Sequence, residues 1–118
     1  MEIRLTPAEY AQVRARLALA AGDDVQGLGL DRVFQACEFR ECGALALALV
    51  AMGRELWIQG AGGADSADLT QAGLAACEIE ARGRGLESVG FQTRRRGLVK
   101  KAIKAGYEID GYILRKRL

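Results

Sequence analysis

A chain of 118 residues can bury one core and is too short to divide, so residues 1–118 are read as a single domain. Half the residues are apolar and 27% are charged, an ordinary balance for a globular protein, and no apolar run reaches the ~18 residues that span a bilayer. The lack of any histidine excludes a Ser-His or Cys-His triad, an imidazole base and most zinc geometries.

In chain order, EIRL is long enough for a short first strand. Thr6-Pro7-Ala8-Glu9 then reads as a helix start, with threonine as N-cap, proline at the first helical position and glutamate three residues after the cap. Tyr10, Val13 and Leu17 recur at helical spacing, and Gly22 supplies the stop. DDVQGLGLD is a polar connector with room for a brief helical turn. RVFQACEF alternates, placing Val33, Gln35, Cys37 and Phe39 on one face of a strand. Glu41-Cys42-Gly43 is a turn, ALALALVA a strand, Met52-Gly53-Arg54 a second turn and ELWIQGA a third strand, which together make an antiparallel meander. A helix over residues 44–51 competes on propensity, but glycines on both sides and the lack of a polar face favour the strand. Leu69, Ala72, Ala76 and Ile79 form the stripe of a helix able to approach a sheet closely. LESVGFQ is a strand, Thr93 the N-cap of a short basic helix closed by Gly106, and YEIDGYILRKR a final strand. The predicted order is β-α-β-β-β-α-β-α-β.

Charge is divided unevenly. Residues 1–81 hold 6 Lys/Arg against 12 Asp/Glu, and residues 82–118 hold 11 against 3, so a net of +2 conceals an acidic part and a basic end. The basic end suits an anionic partner, or attraction between opposite faces within the fold or a dimer. Few aromatics for base stacking and a low net charge argue against nucleic acid. Cys37, Cys42 and Cys77 cannot all pair and are expected as small reduced core residues rather than metal ligands. The odd thiol and the lack of a basic-then-apolar leader in MEIRLTPAEY point to the cytoplasm, with no membrane partner.

QGAGGADS, residues 59–66, follows an apolar strand and precedes a helix. Glycines there allow backbone N–H groups to converge on a phosphate beside a helix N-terminus. Asp65 and Asp68 also make it an ordinary loop ending in an aspartate N-cap, whose carboxylates would repel a pyrophosphate. Both readings stand. Arg94, Arg95 and Arg96 open the last helix, where the macrodipole disfavours cations unless they are solvated or an anion lies near.

GLESVGFQTRRRGLVKKAIKAGYEIDGYILRKRL resembles the end of the GCN5-related N-acetyltransferases (GNAT): a strand, a short helix ending in Gly-aromatic (here Gly106-Tyr107), then a strand closing in Leu-Arg-Lys. Gln59-Gly60-Ala61-Gly62-Gly63-Ala64 matches that family's phosphate-loop pattern, Q/R-x-x-G-x-G/A. The small size looks most like the short versions encoded by bacteriophages and their hosts. The resemblance implies an α/β (α+β) fold with a mixed, mostly antiparallel central sheet flanked by helices. It implies acetyl-CoA as cofactor, held by Ile58, Gln59, Gly60, Gly62, Gly63, Ala64 and Arg95, and acyl transfer to an amine. The family's usual tyrosine falls on Ala102 and its asparagine on Arg95, so no catalytic residue is assigned. Glu55 is the nearest candidate base, with Tyr107 and Tyr112 as candidate proton donors. The alternative is a degenerate member that keeps the fold and serves as an interaction protein, by homodimerisation or by docking on a host protein.

Overall fold

The computed structural model describes residues 4–21, 29–63 and 69–118. Among them the elements are β1 (Thr6–Ala8), α1 (Tyr10–Ala21), α2 (Leu30–Val33), β2 (Glu38–Cys42), β3 (Leu45–Met52), β4 (Glu55–Gly63), α3 (Leu69–Gly83), β5 (Ser88–Phe91) and α4 (Arg96–Lys104). The strands form one sheet in chain order, antiparallel as far as β4. β5 then adds parallel to β4, which requires a crossover, and α3 is that crossover. The result is the mixed, mostly antiparallel, helix-flanked sheet expected from the sequence. No helix of the described residues is long and apolar enough to cross a membrane.

The meander forms because two-residue turns close it. Gly43 and Gly53 sit there with φ of +59° and +60°, a region L side chains rarely adopt. The alternation of β3 then sorts its side chains onto two faces. Leu45, Leu47 and Leu49 join Leu56 and Ile58 against Leu74, Ala76 and Cys77 of α3. Ala46 and Ala48 lie on the opposite face beneath Val13 and Leu17 of α1, with Phe34 completing that cluster. Each buried leucine or valine contributes roughly 1.5–3 kcal/mol, so this sorting fixes the register of the sheet.

Several expectations need correction. The described part of EIRL, Arg4 and Leu5, is in no strand. TPA is the first strand instead, paired with β2, and Thr6 is not an N-cap: its Oγ1 donates to the Glu41 carbonyl at 3.2 Å. β1 is a sheet edge, where the missing N–H of Pro7 is tolerated. The helix starts later, where the Glu9 N–H donates to Gln12 Oε1 and the Gln12 N–H to the Glu9 carbonyl, both at 2.9 Å. Residues 33–39 are not one alternating strand. Leu30–Val33 is a helical turn, and Phe34, which the strand reading left off the face of Val33, Cys37 and Phe39, is only 3% exposed. The buried face of α3 is Gly73, Leu74, Ala76, Cys77 and Ala81, because Gly73 lets the helix settle on Leu45. The N-cap of α4 is Arg95 rather than Thr93, whose Oγ1 accepts from the Arg95 N–H at 3.1 Å. Residues 107–118 join no strand ladder among the described residues, so the final strand is not formed. Gly22, Asp65 and Asp68 lie outside the described residues.

Candidate functional site

The β4–β5 ladder begins with Glu55 opposite Ser88 and stops with Ile58 opposite Phe91. β4 continues through Gln59–Gly63 with β3 alone beside it among the described residues. Its register against β3 shifts at this point: Ile58 faces Leu49 and Gly60 faces Ala48, leaving Gln59 as the extra residue of a bulge. A bulge bends and twists its strand, and β5 itself ends at Phe91, so β4 runs on past the end of their ladder. The wedge between them is a cleft of about 520 Å³, walled by the end of α1, by β3 and β4, by the first turns of α3 and by the start of α4.

Of the residues expected to hold a cofactor, the structure brings Ile58, Gly62, Gly63 and Arg95 to this cleft. Gln59 and Gly60 are not among its walls. The Gln59 Oε1 accepts from Trp57 Nε1 at 3.0 Å. An added Cβ on Gly60 would stand 2.6 Å from Phe34 Cε1. Ala64 lies outside the described residues. The reading of residues 59–63 as loop is therefore corrected, since they complete β4. Two of its glycines answer to a helix. Gly62 is opposite Ala46 and Gly60 opposite Ala48, and these four small residues form a patch beneath α1 and Phe34. A Cβ on Gly62 would overlap the Arg16 carbonyl oxygen of α1.

Arg95 explains how α4 tolerates cations at its start. Its Nη2 donates to the Ala20 carbonyl at 2.8 Å, so the guanidinium meets the negative end of α1 across the cleft mouth. No side chain caps the N-terminus of α4, which leaves its first backbone N–H groups for solvent or a ligand. Gly97 lines the cleft in that first turn, with no atom within 4 Å of an added Cβ. Lys101 and Arg95 are the charged groups on the cleft walls among the described residues, above an aliphatic floor. Gly97, Lys101 and the Leu69–Gly73 stretch were missed from the sequence. The one available signal was the glycine–lysine pair at i and i+4 on the basic helix.

The remaining candidates stand elsewhere. Glu55 and Tyr107 line a second groove, about 870 Å³, on the far side of β5. There Ser88 Oγ donates to Glu55 Oε1 at 3.3 Å, and Tyr107 donates to Glu78 Oε2 at 3.0 Å with its ring 5.8 Å from that of Phe91. Burial first, and then the Glu78 carboxylate, raises the Tyr107 phenol well above its usual range. Tyr112 is 87% exposed, and Ala102 is buried in the core at 5%. No group of three or more Cys, Asp or Glu among the described residues is placed to hold a metal ion.

This mixed, bulged sheet with its α3 crossover defines the class of fold. A search of solved structures finds an acetyltransferase of Bacillus subtilis in complex with CoA, with a TM-score of 0.65 and 18% identity. The likeness covers 93% of this chain and 78% of that one. At that identity it is a likeness of fold, and the fold is GNAT-like. No family model and no curated protein matches the chain.

Proposed function

We propose that the protein binds acetyl-CoA in the cleft between β4 and β5 and transfers the acetyl group to an amine. The observation that carries this reading is the end of the β4–β5 ladder at Ile58–Phe91. Beyond it, unpaired strand backbone faces an aliphatic cleft with cations at its wall. The fit is chemical. A pantetheine arm is an amphipathic chain whose amides need backbone partners, and Ala61–Gly63, which line the cleft, have no partner strand on the β5 side among the described residues. Phosphates need N–H donors and cations, which the uncapped start of α4, Lys101 and the Arg95 region offer. Bound there, the cofactor supplies an activated thioester. The chain supplies alignment and a water-poor wall of Leu45, Leu47 and Ile58. CoA bound to the Bacillus subtilis protein supports the same reading.

Calorimetric titration with acetyl-CoA and with free CoA tests it. Saturable heat is expected from both, and Gly97→Ala weakens it about tenfold by placing a methyl where a phosphate approaches the backbone. No heat from either ligand at millimolar concentration overturns the proposal. A second reading, an interaction protein that retains the fold without the chemistry, draws support from Ala102 and Arg95 in place of the expected tyrosine and asparagine. CoA binding without acetylation of any offered amine selects it.

A further inference from the structure

Residues 107–118 form neither helix nor strand, although YEIDGYIL is rich in the aromatic and β-branched side chains that suit a sheet. Tyr107 is fixed by Phe91 and Glu78. Beyond it, residues 108–118 make no hydrogen bond to the described chain. Ile109, Tyr112, Ile113, Leu114 and Leu118 are each at least 59% exposed, five of the eight large hydrophobics left exposed among the described residues. A run of apolar side chains of this kind marks an interaction surface.

β5 is the other unsatisfied element. It ends the sheet, so its outer edge has no partner strand among the described residues. The 870 Å³ groove follows that edge, lined by residues 87–93 and by the chain's own tail only as far as Ile113. Its walls carry Glu55, Glu78, Glu87, Glu108 and Asp110 against Arg82 alone. Arg115-Lys116-Arg117 is complementary to that charge, yet it lies past the groove of its own chain.

We propose that this groove receives the tail of a second copy, so that two chains exchange residues 111–118 in an isologous dimer. Each tail adds as a strand to the partner's β5, buries its Tyr112, Ile113 and Leu114, and brings its basic end to the partner's carboxylates. At ~3.3 Å per residue, residues 111–118 span ~26 Å, twice the ~13 Å of β5, so the exchanged segment covers the whole edge. Reciprocal exchange satisfies both copies and leaves no open edge on this side. This proposal is independent of the acyl-CoA reading.

Sedimentation of the full chain at ~100 μM is expected to give twice the 12.7 kDa monomer mass, and Ile113→Glu with Leu114→Glu to return it to the monomer with its melting transition retained. A monomeric wild type overturns the proposal, and so does a dimer that this double substitution leaves intact. Should the double variant fail to fold, oxidative cross-linking decides. A mixture of Ser88→Cys chains and Leu114→Cys chains yields a covalent dimer that neither forms alone. A chain carrying both substitutions that links only within itself shows the tail closing on its own β5, and refutes the exchange.

Discussion

Gly62 is where packing and ligand binding forecast different outcomes. An alanine Cβ there would overlap the Arg16 carbonyl oxygen and approach Ala20 Cβ to 3.0 Å. The obstacle is backbone, so relief requires α1 to lift from the sheet as a body. Overpacking of this kind costs ~1–3 kcal/mol, and replacing glycine returns ~0.4–1 kcal/mol by restricting the unfolded chain. A backbone obstacle places the cost at the upper end, for a net loss of ~2 kcal/mol. The unfolding entropy of a chain of 118 residues is about 0.25 kcal/mol per kelvin, so Gly62→Ala is expected to lower Tm by ~8 °C. Gly63→Ala is the paired control. Its Cβ meets Leu69 Cδ1 at 2.5 Å, the far end of a side chain that can turn aside, and Tm should move by less than ~3 °C. Thermal melting followed by circular dichroism, without ligand, compares them. If Gly62→Ala melts with the wild type, or Gly63→Ala falls as far, the glycine does not serve the helix and the packing argument is refuted.

Gly60→Ala should destabilise by ~1–2 kcal/mol in the wild type and be close to neutral in a Phe34→Leu background, because Phe34 Cε1 is the obstructing atom; additive losses in the double variant's denaturation would contradict this. Arg84 donates to Glu80 Oε2 at 2.8 Å and to Glu38 Oε2 at 2.7 Å, tying the end of α3 to β2. Arg84, with a smaller contribution from Arg40, holds the Glu38 carboxyl below its usual range. A lowered folded-state value stabilises above the unfolded pKa of ~4.3 and is lost as pH falls through the folded one. Arg84→Gln should therefore cost ~1 kcal/mol at neutral pH, discounted for the exposure of Glu38, and progressively less toward pH ~3; an equal deficit at both ends would count against the pair. Burial pushes the Cys77 thiol up to about 12 and raises Cys42 and Cys37 as well, and since Cys42 and Cys77 are buried, a thiol reagent should reach at most the half-buried Cys37 quickly in the folded protein and all three only in denaturant. Three equally fast thiols would mean that the α3 core is misplaced.

The meander, the α3 crossover and the basic last helix were legible because alternation, glycine bookends and helical spacing agree there. The N-terminus was not. A proline after a threonine serves equally as the first residue of a helix or as an edge strand, and the bond from Thr6 to the Glu41 carbonyl, 35 residues away, decides between them. The strand expected over residues 32–39 failed for a related reason, since Phe34 is needed above Gly60, at the end of α2. Glycines that clear space for a phosphate and glycines that clear space for a helix look alike in sequence, because both work by removing a Cβ. Position along the chain still led to one cleft: Ile58, Gly62, Gly63 and Arg95 converge there, while Gln59 and Gly60 turn to Trp57 and Phe34. The final strand has every local preference for extended structure, but pairing is decided by a partner edge, which no local pattern records.

The patch beneath α1 has one more effect. With nothing larger than a methyl at Ala46, Ala48, Gly60 and Gly62, the helix rides low on the sheet, and its last turn brings the Ala20 carbonyl within reach of Arg95. The height of that helix therefore gauges the mouth of the cleft. Ala46 and Ala48 do not line the cleft, yet added volume at either raises α1 and shifts the anchor of Arg95 with it. Selection for a wider or narrower ligand can act on these two alanines without altering a single wall residue, so a survey of the walls alone would overlook where the aperture is set.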